Sequence, residues 1–184
     1  ACLVGSEMCI RDRKFTSPRY QAITGDSLRM FTTEDGGALI RIIAGDLGEF
    51  TGPGATHTPI TYLHVTLSPG AELKLPLNPA FSAFAYVLTG RGYAGREQRP
   101  VSDHQFVMFG PGDHVALRAA ESQTGDAEAL DILVLGGLPI REPIAHYGPF
   151  VMNSREEIIQ AIDDYEAGRL GVIPADQLAP RTFA

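Results

Sequence analysis

The sequence predicts an all-β domain, a sandwich or barrel, followed by a single helix. Three observations predict it. Seven apolar runs of similar short length recur between residues 38 and 137, each bounded by Gly, Pro, Asp or another turn former. The one stretch with clear helical spacing lies near the end, over residues 153–171. The chain has 184 residues and is 44% apolar, which suits one domain of ordinary size with a real core.

The strand candidates run in order. They are ALIRIIAG (38–45), ITYLHVTLS (60–68), AELKLP (71–76), AFAYVLTG (83–90), HQFVMFG (104–110), DHVALRA (113–119) and LDILVLGG (130–137). In the second run Thr61, Leu63, Val65 and Leu67 share one face, and Ile60, Tyr62, His64 and Thr66 share the other. The first face is the predicted core side. Leu73, Leu75, Phe84 and Tyr86 are the expected interior filling of the later strands. The helix has Asn153 or Ser154 as its N-cap, with Glu156 or Glu157 three residues on, a capping-box pattern. Ile158, Ile162 and Tyr165 recur at helical spacing with Ile159 beside them, and Gly168 or Gly171 supplies the stop. Asp163, Asp164 and Glu166 read as a solvated face.

Charge and composition exclude several classes. The net charge is -7, and the basic residues form no run beyond the patch at 11–14. Direct binding to nucleic acid or to an anionic membrane needs clustered Lys and Arg, so neither partner is expected. No stretch reaches the roughly 18 apolar residues of a membrane span. Both cysteines, Cys2 and Cys9, fall in ACLVGSEMCIRDR (1–13), which has no signal-peptide layout. That segment resembles a translated adapter remnant, and it is set aside as non-native. The body from Lys14 onward holds no cysteine. A disulfide framework, a cysteine-zinc site and a cysteine nucleophile are excluded there together, and a cytoplasmic location is the expectation.

One stretch carries a spacing with chemical meaning: PGAELKLPLNPAFSAFAYVLTG (69–90). The first cupin motif has Gly, five residues, His-x-His, three or four residues, Glu, six residues and Gly. Counted from Gly70, Pro76-Leu77-Asn78 occupies the His-x-His slot, Ala83 the Glu slot, and Gly90 the final glycine. The second cupin motif has Pro-x-Gly, two residues and His. In GPGDHV (110–115) the ligand slot falls on Val115, with His114 one residue early and turned to the other face. The frame is kept and the ligands are gone. First-row metals need several imidazole nitrogens and carboxylate oxygens converging on one point. Pro, Ala and Val offer none, and Asn78 offers one amide oxygen.

The C-terminal third carries a family resemblance. GGLPIREPIAHYGPFVMNSREEIIQAIDDYEAGRLG (136–171) closely resembles the C-terminal signature of the pirin family, and KFTSPRYQAI (14–23) and IRIIAGDLGEFTGP (40–53) are similar to earlier parts of the same half. The resemblance implies a bicupin parent: an N-terminal barrel holding iron through three histidines and a glutamate, and a metal-free C-terminal barrel. It implies that the parent is a quercetin 2,3-dioxygenase or, in nuclei, an iron-dependent transcriptional co-regulator. The fold expected here is one cupin-like double-stranded β-barrel, a jelly roll, over residues 14–150. A C-terminal helix and tail, 151–184, are expected to pack on it. The resemblance assigns this chain no catalytic, cofactor-binding or metal-ligating residue; iron is expected only in an upstream barrel, which is the expected partner. Alternative roles are a regulatory protein-binding module and a metal-free small-molecule-binding barrel with Tyr86 and Asn78 as its polar groups.

The remaining candidates are weaker. His57, His64, His104, His114 and His146 read as isolated histidines. GDLGEFTGPG (45–54) lacks the Gly-Lys-Ser/Thr of a phosphate loop and reads as turn-making glycine, or as a close approach to the missing barrel. YGPFVMN (147–153) is apolar enough to form part of a lost interface. No Gly-x-Ser-x-Gly or other triad arrangement is present.

Overall fold

A computed structural model describes residues 21–125 and 127–170. The expectations for residues 1–13, for the segment 14–20 and for Gly171 lie outside the described residues. The described chain up to Pro139 forms one compact unit, and the chain from Ile140 forms a second.

The first unit is built from two antiparallel sheets. Six strands, β1 (Arg29–Thr32), β2 (Ala38–Ala44), β5 (Ile60–Leu67), β12 (Leu130–Gly137), β7 (Ser82–Thr89) and β10 (Phe106–Met108), lie side by side in that order. Four more, β6 (Glu72–Pro76), β11 (His114–Ala119), β8 (Gly92–Ala94) and β9 (Arg99–Val101), form the second sheet. A small hairpin, β3 (Asp46–Leu47) and β4 (Phe50–Thr51), follows β2. All seven predicted runs are strands. Residues of both sheets share one apolar core, including Ile42, Leu63, Val87, Ile132 and Val134 from the first and Leu75, Val115 and Leu117 from the second. This is the jelly roll of a cupin.

Alternation sets the inner face. Along β5 Thr61, Leu63, Val65 and Leu67 are buried while Ile60, Tyr62, His64 and Thr66 are half-buried on the other side, as the sequence predicts. Along β7 the expectation fails. Ala85 and Val87 are fully buried, so Phe84 and Tyr86 point to the opposite, outer face. On the inner face Ala85 and Val87 stand beside Val134 and Ile132 of the neighbouring β12, in one core with Leu75, Val115 and Leu117 of the other sheet.

The frame glycines Gly70 and Gly90 keep their spacing for a backbone reason. Both sit at positive φ, +76° and +90°, and a Cβ at Gly90 would lie 2.3 Å from the Ala129 carbonyl oxygen. Gly45 approaches β5 just as closely, its Cβ position 1.8 Å from the Ile60 carbonyl oxygen. Within the glycine-rich stretch 45–54, Gly45, Gly52 and Gly54 make close approaches to the backbone of β2 and β5.

The second unit has a hairpin, β13 (Ala145–Tyr147) and β14 (Phe150–Met152), and the helix α1 (Arg155–Glu166). Ser154, not Asn153, is the N-cap: its side chain accepts from the Glu157 N–H, and the Glu157 carboxylate accepts from the Ser154 N–H, a complete capping box. At the other end Gly168 stands at φ +68°. Its N–H donates to the Tyr165 carbonyl and the Arg169 N–H donates to the Asp164 carbonyl, the two bonds of a Schellman motif. Ile158 and Ala161 are buried with Met152, whereas Ile159 and Tyr165 remain exposed.

Candidate functional site

Two places in the first unit could carry chemistry: the interior at the cupin ligand slots, and the outer face of the six-stranded sheet.

The interior comes first. Burial along β6 falls on Leu73 and Leu75 and continues to Leu77, so Pro76 and Asn78 face outward. The side chains aimed inward here are those of Leu75 and Leu77, each one residue before a counted ligand slot. Asn78 instead closes a turn, its Oδ1 accepting from the Ala80 N–H at 2.9 Å and its carbonyl from the Phe81 N–H. With Tyr86 on the outer face as well, the two polar groups expected for a small-molecule pocket are both outside the core. Val115 is buried and in register with Leu75, and Ala83 packs partly against the same core. His114, in register with Pro76, points out and contacts Asp113 at 2.5 Å, as its one-residue offset predicts. That contact holds the Asp113 carboxyl below its ordinary range.

Leu75, Leu77, Ala83 and Val115 do not fit a metal ion, since alkyl groups carry no donor atoms. Among the described residues no group of three His, Cys, Asp or Glu is placed to hold one. At the rim of this region lies an open cavity of about 410 Å³ lined by Asp46, Thr51, Thr56, Thr61, Asn78 and Phe81 among others. Thr61 is the one buried polar residue described.

The outer face holds a polar quartet that sequence reasoning missed. Arg41 on β2, His64 and Thr66 on β5 and Asp131 on β12 meet because the three strands are neighbours, with Arg41 opposite His64 and Thr66 opposite Asp131. Arg41 Nη1 donates to Thr66 Oγ1 at 2.9 Å, and Thr66 Oγ1 donates to Asp131 Oδ1 at 2.6 Å. His64 Nε2 lies 3.1 Å from Asp131 Oδ1, and its Nδ1 lies 3.5 Å from Arg41 Nη1. One neutral tautomer satisfies both ends: Nε2–H donates to the carboxylate and Nδ1 faces the guanidinium. His64 and Asp131 are about one-quarter and one-third exposed. The signal was present in the sequence, because Arg41 and Asp131 are the single charged residues of two otherwise apolar strands. Beside the quartet, burial raises the Tyr62 hydroxyl above its ordinary pKa.

The other histidines stand apart. His57 lies exposed in a loop, His104 in an exposed turn at φ +63°, and His146 exposed on β13. No helix among the described residues is long and apolar enough to cross a membrane.

Comparison with known proteins gives the fold a family. The family model of the pirin C-terminal cupin domain matches residues 62–171. The chain belongs to the pirin family. Among its relatives, Pirin-1 of Arabidopsis thaliana is 36% identical over 160 residues, spanning 86% of this chain and 54% of the relative. Human pirin is 30% identical over 160 residues, spanning 86% and 53%. A crystal structure of a quercetin 2,3-dioxygenase from Acinetobacter baumannii superposes with a TM-score of 0.74 at 29% identity, covering 88% of this chain and 54% of that one. The chain thus spans about half the length of the pirin-family relatives it matches.

Proposed function

We propose that this chain is the metal-free C-terminal barrel of a two-barrel pirin-family protein, and that its role is structural and interfacial rather than catalytic. The observation that carries this is the apolar interior around the counted motif positions: Leu75, Leu77 and Val115 are buried, Ala83 packs against the same core, and none of them carries a donor atom. The parent is proposed to be an iron-dependent oxidoreductase acting on a flavonol such as quercetin; its iron and its catalytic residues belong to an upstream barrel. The match to a C-terminal domain model, and coverage of about half of each relative, support an upstream partner within the same protein. No residue of this chain is assigned a catalytic role. A cytoplasmic location belongs to the same proposal, on the absence of cysteine after residue 13.

Metal analysis tests it. The chain is purified, incubated with ferrous iron under argon, desalted and assayed for bound iron, beside the longer protein that includes the upstream reading frame. Iron is expected in the longer protein alone. Stoichiometric iron in this chain would sink the proposal.

A further inference from the structure

The outer face of the six-stranded sheet is apolar along β12, β7 and β10, and the polar quartet on its β2, β5 and β12 side supplies an anchor. In the register that joins β12, β7 and β10, Leu133, Tyr86 and Phe106 form one row, and Leu135, Phe84 and Met108 form the next. Phe84 and Phe106 rings lie 4.8 Å apart. Phe106 is 55% exposed and Met108 67%, and at the far edge of the same face Met30, opposite Arg41, is 56% exposed. Surface positions of a β-sheet that faces water are normally polar; this run of Phe, Tyr, Leu and Met is of the kind that marks an interaction site.

The anchor is Arg41. Its guanidinium is half-buried, and among the described residues it pairs directly with no carboxylate; its contacts are the Thr66 hydroxyl and the His64 ring. Asp131 neutralises it only through those two groups. The remaining N–H groups of Arg41 can take an acceptor from outside, and a partly desolvated Arg on the same face as an aromatic row, with two strands between them, gives that face both kinds of group that anchor interfaces.

Size agrees with a stable interface. Six strands about 4.8 Å apart, with β5 eight residues long at about 3.4 Å each, give a face of roughly 650 Å² in plane. A standard interface covers about 800 Å² per partner. The other exposed apolar patch, Ile144 and Tyr147 of the second unit, belongs to a hairpin of three-residue strands and has no comparable anchor.

We infer that the upstream half of the same protein docks on this face, with Phe84, Phe106 and Met108 forming its apolar side along the β7–β10 edge and an acceptor group, carboxylate or carbonyl, on Arg41. The inference rests on the two-barrel proposal above and adds which surface is used. It commits to the upstream half because coverage leaves about half of each relative's length outside this chain, enough for one further domain.

Methionine oxidation reads the face directly. Dilute hydrogen peroxide is applied to this chain and to the longer protein, and sulfoxide formation at Met30, Met108 and Met152 is followed by peptide mass spectrometry. Met152 is buried and serves as the slow reference. Oxidation follows exposure, so Met30 and Met108 are expected to react fast in this chain and roughly tenfold more slowly in the longer protein. In the longer protein Phe106→Asp and Arg41→Glu are each expected to restore fast oxidation of Met108, while Ile144→Asp leaves it slow. Circular dichroism melts of each variant show that it remains folded. Equal Met108 rates in the two proteins overturn the inference, even if the longer protein proves to carry iron and two barrels. Absence of an upstream barrel removes the two-barrel proposal, and the inference with it. Slow Met108 oxidation in this chain alone, with sedimentation as a dimer, gives the face to a second copy and also overturns it.

Discussion

The two compact units are held together in different ways. Among the described residues, the first gathers twenty buried apolar residues, most of them from its two large sheets, in a single core. The second has three such residues described, Met152, Ile158 and Ala161. What the second lacks in burial it replaces with local polar closure: a capping box at one end of α1, a Schellman turn at the other, and the Asn153 amide donating to Glu142 at 2.5 Å. Apolar area removed from water is worth about 25 cal/mol per Å², so a large core tolerates the loss of any one hydrogen bond. A unit with three core residues does not. The difference teaches which perturbations each unit should feel.

The largest effect should come from truncating the core of the first unit. Leu63 is fully buried between neighbouring strands. Leu63→Ala is expected to cost about 2–5 kcal/mol, seen as a lower Tm and faster amide exchange throughout β5, β12 and β7. Ile158→Ala removes a similar side chain from the smaller cluster, where solvent is close and the site collapses more easily. Its cost should sit near about 2 kcal/mol, at the low end of the same range, and the faster exchange should be confined to α1. Hydrogen exchange read by mass spectrometry separates the cases. If Ile158→Ala loosened β5 as much as α1, the two units would be one cooperative body and the contrast would be gone.

What the sequence could show follows the same division. Six of the seven legible strands were so because burial on one face imposes a two-residue period over five or more residues, as in Ile60–Leu67; the seventh, Phe106–Met108, was marked by its apolar run alone. The other short strands were not legible. Arg29–Thr32 is only four residues long, Arg99–Val101 contains Pro100, and Gly92–Ala94 opens on a glycine. Such segments become strands only through the neighbours they pair with, β2 and β11 among them. Phe84 and Tyr86 misled for another reason. Alternation fixes two faces without saying which is inside, and aromatic rings look like core until the burial of Ala85 and Val87 shows the other face to be the inner one. The quartet of Arg41, His64, Thr66 and Asp131 was hidden because its members lie up to 90 residues apart and meet only through the register of three strands. The residue types at the counted slots were legible, although the strand parity that sends Leu75 and Leu77 inward, and Pro76 and Asn78 outward, needed the structure.

A smaller effect sharpens the contrast at the helix cap. Ser154→Ala removes the acceptor for the Glu157 N–H and one side of the capping box. The expected cost is about 1 kcal/mol, confined to α1 and the hairpin beside it. Ser154→Asp should recover most of it, because a carboxylate can accept the same bond and also favours the helix N-terminus. Exchange rates at Glu157 and Ile158 in the three proteins measure this. A Tm change of the first unit in step with the cap would contradict local closure.

The smallest effect is a pH dependence at the other end of the helix. The Asp164 carboxylate accepts from Arg169 Nε at 2.9 Å and from Gln160 Nε2 at 2.9 Å. The Arg169 bond, and after it the Gln160 bond, hold this carboxyl below its ordinary value of 3.8. A carboxyl whose pKa is lower folded than unfolded stabilises the fold in its ionised form. That contribution is complete above 3.8 and disappears as the pH falls through the lowered, folded value. The last turn of α1 should therefore fray only in that acidic window, with faster exchange at Gly168 and Arg169, while the apolar core around Leu63 holds. Asp164→Asn should abolish the acid step at those amides and leave neutral-pH exchange slightly faster than in the parent. An acid transition that began in β5 or β12, or one unchanged in Asp164→Asn, would place the acid-sensitive group elsewhere and would erase the distinction between a unit held by its core and a unit held by its ends.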